Sequence, residues 1–362
     1  MHEMISFTRG VPPTEAFPTA ALAEALASAV TRDPAIVLQY GQQQGYPPLR
    51  ALLAERHGVQ ADDILVGNGS LQLQDLVASV LVRPGDTVLT EQPSYDRAIA
   101  TFRRRGARVI GIPLGDDGID LTRFAAEVAR QTPAFVYLVP DFQNPAGITT
   151  SAAHRRAIVA LAEQHGFWVI EDVPYRSLRY RGTDEPTLRE LGDSRVITMT
   201  SFSKLLSPGL RVGYMIAPAA LIARVTREGE NQYLSPVLPT QAAVAEVLRQ
   251  GMLDDNIAAL RTLYRPRWQA MLQALDQTLP GVPHSTPDGG FFVSLTLPPD
   301  ANSADLVGRA RAAGLLLTDG RAFFAEPLAD ATPAGERFVR LPFCAVTPEQ
   351  IAEGVRRLAT LV

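Results

Sequence analysis

Seven short runs rich in Val, Ile and Leu, each bounded by turn residues, alternate with longer polar-apolar stretches from about residue 64 onward. They read DILVGN, DTVLTE, ARVIGIPL, AFVYLVP, FWVIED, RVITMT and RVGYMIA. Runs this evenly apolar suit strands buried on both faces, the condition of a sheet covered by helices above and below. Stretches between them, such as SLQLQDLVASVLV and SAAHRRAIVALAEQH, carry apolar residues at helical spacing. Strand-helix alternation of this kind predicts an α/β domain with a largely parallel sheet.

After about residue 265 the pattern changes. A long helix is expected from Arg265 to Leu279, then a strand in GGFFVSLTLP, a helix from Ser303, a strand in GLLLTDG and another in FVRLPFCAV. That order predicts a smaller α+β domain. Leu22, Leu26 and Val30 at i, i+4, i+8 predict an N-terminal helix. The expected division is an N-terminal segment, 1–35, packing with the small domain; a large domain, 36–264; and the small domain, 265–362.

Bulk properties exclude several classes. A net charge of -4 gives no general nucleic-acid surface, and the densest basic run, Phe102 to Arg108, is short enough to be a solvated helix end. The one cysteine, Cys344, rules out an internal disulfide framework and fits a reducing compartment. His2, His57, His154, His165 and His284 fall at unrelated spacings, so no zinc site is expected. The N-terminus shows no basic-then-apolar signal organisation, and no apolar run nears the roughly 20 residues that span a bilayer. A cytoplasmic protein without membrane or nucleic-acid partners is expected.

Among 34 Lys+Arg, the single lysine is Lys204, in TSFSKLLSPGLRVGY. Arginine replaces lysine wherever a point charge suffices, but its delocalised guanidinium cannot act as a nucleophilic amine. A Schiff-base lysine follows, provided its surroundings agree. In open α/β sheets ligands sit at the carboxyl ends of strands, so the loops after the strands are where to look. After ILV, GNGSLQ places Gly67 and Gly69 at the entry to a helix beginning at Ser70 and Leu71, where free N–H groups suit a phosphate. After VYLVP, DFQNPAG sets Asn144 in a constrained turn. After FWVI come Glu171 and Asp172, then Tyr175; one of these carboxylates faces a cation, because buried carboxylates are costly unpaired. After VITMT come Ser201, Ser203 and Lys204, then Arg211. A phosphate cradle, an acid for a ring nitrogen, an amide, a phenol and a lysine are together the inventory pyridoxal phosphate needs.

These residues resemble the pyridoxal-phosphate fold type I enzymes, aminotransferase class I/II. Within that family the chain is most similar to the subgroup of 2-aminoadipate aminotransferases and the aminotransferase-like half of certain transcription regulators. QYGQQQGYPPLR, PDFQNPAG, SFSKLLSPGLRVGY and FVRLPF carry the resemblance, which runs from about residue 5 to the C-terminal helix. It implies a large domain with a seven-stranded, mostly parallel sheet beside a smaller α+β domain. By the same resemblance, Lys204 forms the Schiff base and moves the proton at the substrate α-carbon. Asp172 pairs with the ring nitrogen, Tyr175 and Asn144 hold the ring oxygen, and Tyr95 stacks on the ring. Gly69, Ser70, Leu71, Ser201, Ser203 and Arg211 take the phosphate. Tyr40 reaches the phosphate of a neighbouring subunit, which implies a homodimer. Arg340 clamps the substrate α-carboxylate, helped by Asn144 and the backbone at Gly10.

Two departures from relatives stand out. Leu71 replaces a polar residue, so any contact there comes from its backbone. Arg9 replaces a small residue and faces either a substrate side chain or solvent. Between Val11 and Thr31 there is no Lys or Arg, which favours a neutral aliphatic or aromatic substrate, with 2-aminoadipate and glutamate remaining as amino donors. The expected activity is amino exchange between an L-amino acid and a 2-oxoacid. Decarboxylation, elimination or an oxygen-dependent oxidation would use the same scaffold, because fold and cofactor do not fix the reaction. A ligand-sensing regulator is disfavoured, since the resemblance begins near residue 5 and leaves no helix-turn-helix module ahead of it.

Overall fold

The computed structural model describes residues 4–328 and 335–362; His2 lies outside them. All seven apolar runs become strands of one sheet, in the spatial order Arg108–Gly115, Thr87–Gln92, Phe135–Leu138, Trp168–Asp172, Val196–Ser201, Gly213–Ile216, Ile64–Gly67. The first five run parallel, and Gly213–Ile216 is antiparallel to both its neighbours. Two further two-residue strands, Glu326–Pro327 and Gly118–Ile119, extend the Arg108–Gly115 side, making nine strands among the described residues where seven were expected. They are too short to leave a sequence pattern. Every residue of Ile64–Gly67, Thr87–Gln92, Phe135–Leu138 and Gly213–Ile216 is buried, because helices cover both faces.

From Thr87–Gln92 the chain goes outward to Arg108–Gly115, then returns to the other side for Phe135–Leu138 and the strands beyond. The connections after Thr87–Gln92 and after Phe135–Leu138 therefore diverge, which opens a crevice at the carboxyl ends of these strands. The chain enters this crevice at Tyr95, Asn144, Asp172 and Lys204.

The C-terminal region pairs Phe292–Thr296 antiparallel with Phe338–Pro342, setting Ser294 opposite Arg340. The expected helix from Arg265 instead spans Met252–Thr278 and passes through Pro266. Leu253, Ile257, Leu260, Tyr264, Trp268, Met271 and Leu275 form one buried stripe along it. Burying these side chains outweighs the roughly 3 kcal/mol that an internal proline costs a helix. The boundary expected at 264/265 thus falls inside this helix.

The described residues 4–35 divide between two packing partners. Strand Ile5–Phe7 does pair with Leu315–Leu317, but helix Thr19–Arg32 lies on helix Leu238–Arg249. Leu22, Ala25 and Ala29 share an apolar cluster there with Leu49, Leu53, Leu238 and Ala242. The basic run at Phe102 to Arg108 does end a helix, Asp96–Arg104, but Arg104 and Arg105 are both tied to Asp75 rather than simply solvated.

Candidate active site

The crevice is a cleft of about 560 Å³. Gly10, Ser70, Leu71, Tyr95, Asn144, Asp172, Tyr175, Ser201, Ser203, Lys204, Arg211 and Arg340 all line it, though they come from positions up to 330 residues apart, Gly10 to Arg340. Gly69, next to Ser70 in the chain, is not among its lining residues. Tyr40 does not reach it and stands 75% exposed.

One corner is built for an anion. Helix Ser70–Leu81 begins with no side-chain cap, and its first two residues, Ser70 and Leu71, line the cleft, which puts the positive end of its dipole there. Gly69 has φ 95, and a Cβ there would lie 2.4 Å from Arg211 Nη2, so only glycine lets the guanidinium approach. A Cβ at Gly213 would meet the Ser70 nitrogen at 2.7 Å, which keeps the adjoining strand close beneath the helix start. Arg211 donates from Nη2 to Asn68 O at 3.1 Å and from Nη1 to Pro208 O at 3.3 Å. Ser201 Oγ donates to Ser203 Oγ at 2.8 Å and accepts from the Ser203 N–H at 3.1 Å, holding both hydroxyls side by side.

The centre of the cleft holds Asp172 and Lys204. Of the two carboxylates ending strand Trp168–Asp172, Glu171 points away, accepting from Thr198 Oγ1 at 2.7 Å and Leu188 N–H at 2.8 Å. Asp172 faces the cleft. Its Oδ2 accepts from Gln74 Nε2 at 2.7 Å and from Tyr137 OH at 2.9 Å, whereas its buried Oδ1 has no partner. Burial pushes its pKa up to about 7, against the pull of the two donors and of Lys204. Lys204 Nζ donates to Gly10 O at 2.8 Å. Burial draws its pKa down, with Arg340 and Arg211 acting in the same direction and Asp172 opposing, so the amine is easier to free of its proton. Burial also raises the phenols: Tyr175 far above its ordinary value and Tyr95 to about 12.

Arg340 is buried, at 7% exposed. Its Nη1 donates to Asn144 Oδ1 at 2.9 Å and its Nη2 to Thr8 O at 2.5 Å. The rings of Phe323 and Phe292 flank the guanidinium, 4.5 and 5.0 Å from its carbon. No carboxylate side chain of the described residues pairs with it, and its buried Nε has no partner. A buried cation without an anion is expensive, so the site is arranged for an anionic ligand.

Sequence reasoning missed Gln74, Tyr137, Thr8, Phe292 and Phe323. Gln74 leaves a trace, being a polar residue on a helix face that otherwise buries Leu73, Leu76, Val77 and Ala78. Tyr137 puts a hydroxyl into a fully buried strand. The aromatic pair around Arg340 comes from separate segments and leaves no pattern. Arg9 lines the mouth of the cleft and is exposed.

The residues present fit pyridoxal phosphate: an uncapped helix start for a phosphate, an unpartnered carboxylate oxygen for a ring nitrogen, and an amine of lowered pKa for the aldehyde. The fold and the site define an enzyme that handles amino groups through this cofactor. The chain belongs to the aminotransferase class I and II family, whose model matches residues 2–358. It is 37% identical over 360 residues to a 2-aminoadipate transaminase of Thermus thermophilus, covering 98% of this chain and 89% of the relative. Among solved structures, an alpha-aminoadipate aminotransferase of Thermus thermophilus, complexed with N-(5'-phosphopyridoxyl)-L-leucine, superposes with a TM-score of 0.92 at 37% identity, covering 99% of this chain and 92% of that one. A multiple substrate aminotransferase of Thermococcus profundus gives 0.94 at 34%, covering 100% and 92%. The chain is accordingly a pyridoxal-phosphate-dependent aminotransferase.

Proposed function

We propose that this aminotransferase exchanges the amino group of an L-amino acid with a 2-oxoacid, using Lys204, Asp172 and Arg340 in the roles that follow. One observation carries the reading: a lysine of lowered pKa, a carboxylate with one unpartnered oxygen and an arginine without an anion share one cleft. When bound, pyridoxal phosphate supplies the carbonyl that takes up the amino group and the ring that accepts electrons released at the substrate α-carbon. Lys204 would hold the cofactor covalently, and its amine, when free, would take up the proton at the substrate α-carbon. Asp172 Oδ1, buried without a partner, would keep a proton at the ring nitrogen. Asn144 and Tyr175 would hold the ring oxygen, and Tyr95 would lie against the ring. Ser70, Ser201, Ser203, Arg211 and the N–H groups at Gly69 to Leu71 take the phosphate. Arg340 fixes the α-carboxylate, with Asn144 and the Gly10 backbone beside it, and thereby sets which α-carbon bond faces Lys204.

The preferred substrate side chain is neutral, aliphatic or aromatic. Val11 and Phe323 line the cleft, and the cation at its mouth, Arg9, is exposed. The working unit is a homodimer. Ile36, Leu38, Tyr40, Leu234 and Val237 are apolar and at least 48% exposed. Gln43 Nε2 donates to Leu234 O, and Val237 N–H donates to Asn68 Oδ1, so this patch adjoins the phosphate corner. A second copy covering it would bring Tyr40 to that corner of its partner. The cytoplasm is the proposed location, supported by one buried, unbridged cysteine. Lys204→Ala tests the central assignment: turnover and covalent retention of the cofactor are expected to vanish while the melting temperature of the cofactor-free protein is kept. Full turnover by this variant would contradict the assignment.

A further inference from the structure

Gln74 is wholly buried on the apolar face of helix Ser70–Leu81, and its Oε1 has no partner. A leucine would fill that position without burying an amide, so the glutamine is a cost to the fold that needs an explanation. Its compensating contact is the 2.7 Å hydrogen bond to Asp172 Oδ2, the same oxygen that accepts from Tyr137 OH at 2.9 Å. Two donors from different elements, one helix and one strand, fix the plane of the carboxylate. They also saturate one oxygen and leave the other, Oδ1, buried and open on the cleft side.

We propose that Gln74 is a positioning residue for amino transfer, acting through Asp172: with Tyr137 it ties down Oδ2, so that Oδ1 alone is presented to the ring nitrogen of the cofactor. The inference rests on the assignment of Asp172 to that nitrogen. A donor to a carboxylate favours its ionised form. Removing Gln74 therefore leaves Asp172 both less fixed and more basic, and a more basic carboxylate draws the shared proton away from the ring. The other groups acting on Asp172 are Lys204 and the Tyr137 hydroxyl, while Glu91, Tyr95 and Tyr175 feel its charge in turn.

The test uses Gln74→Leu, Tyr137→Phe, the double variant and Asp172→Ala, all in the full-length chain. Cofactor affinity is titrated into stripped protein by fluorescence quenching. The pH dependence of the bound cofactor's absorption is recorded, and kcat and KM are measured for one amino donor. Gln74→Leu is expected to weaken cofactor binding by about tenfold, the effect of one lost hydrogen bond to a charged group. It should also displace the absorption pH profile and lower kcat with KM little changed, since Gln74 does not line the cleft. Melting of the stripped variant should be unchanged or higher, because leucine suits the apolar face. The double variant should lose more than the sum of the singles, since either donor alone still holds Oδ2. If Gln74→Leu matches the parent in affinity, profile and kcat while Asp172→Ala is crippled, the Gln74 proposal falls. A Gln74→Leu variant that merely melts early, with an unmoved absorption profile, overturns it as well. If Asp172→Ala itself keeps affinity and turnover, the fault lies with the assignment of Asp172.

Discussion

Replacing Arg340 by lysine keeps a positive charge in the cleft and removes its geometry. The guanidinium is held by Asn144 Oδ1 at 2.9 Å and Thr8 O at 2.5 Å, and it is flanked by Phe292 and Phe323. A planar fork so fixed offers a substrate carboxylate two parallel donors, whereas an ammonium presents a point charge. One charge-assisted hydrogen bond is lost with the fork, costing about 1.5–3 kcal/mol. The lost aromatic stacking adds about 0.5–1 kcal/mol of disorder in the clamp. In its proposed role the clamp orients the α-carbon bond, so the loss should appear in kcat/KM for the amino acid, as roughly a 30- to 1000-fold fall. Cofactor affinity should stay within about twofold, since Arg340 holds no part of the phosphate corner. Steady-state kinetics with one donor, paired with cofactor titration, separates the two. Unchanged kcat/KM, or a loss of cofactor binding as large as the loss of kcat/KM, would refute the assignment of Arg340 to the substrate carboxylate.

Three further perturbations bear on other parts of the protein. Gly69→Ala places a Cβ 2.4 Å from Arg211 Nη2 at φ 95, so cofactor affinity should fall by about tenfold or more while KM for the amino acid is spared; wild-type affinity would show that this corner does not hold the phosphate. Arg9→Ala should leave turnover of neutral amino acids intact, and selective loss with glutamate or 2-aminoadipate would overturn the preference for neutral side chains. Burial raises Glu91 from 4.5 to about 7, so its neutral form is favoured in the folded state. Its contribution is complete below about pH 4.5 and is lost as the pH rises through 7. The melting temperature of stripped wild type relative to Glu91→Gln should therefore fall between pH 5 and pH 8, and a rise would show that Glu91 is ionised in the fold.

The large sheet is legible because burial on both faces forces its strands to be continuous apolar runs, and all seven are found where they were read. Lys204 is legible because it is the single lysine among 34 Lys+Arg. Other parts depend on contacts distant in sequence. Whether Glu171 or Asp172 faces the cleft follows from strand alternation in three dimensions, and the apolar run before them does not encode which face opens on it. The division of residues 5–32 between two packing partners depends on the pairing of Ile5 with Leu315. The start of helix Met252–Thr278 is hidden in the sequence because Pro266 interrupts its pattern, while the buried stripe from Leu253 to Leu275 continues past it. Gln74 is hidden because it sits beside Leu73 on a helix whose pattern is dominated by its apolar spacing. Arg340 is one arginine of many until Phe292, Phe323, Asn144 and Thr8 are seen around it.

The most direct test of the account is the absorption spectrum of the purified, cofactor-loaded enzyme, taken alone, after a single amino acid, and again after a 2-oxoacid. Reversible amino transfer predicts that the band of the lysine-bound cofactor bleaches with the amino acid, gives way to that of the aminated cofactor, and returns in full with the 2-oxoacid. A band that survives every amino acid, or that bleaches with release of carbon dioxide or uptake of oxygen and is not restored, would contradict it.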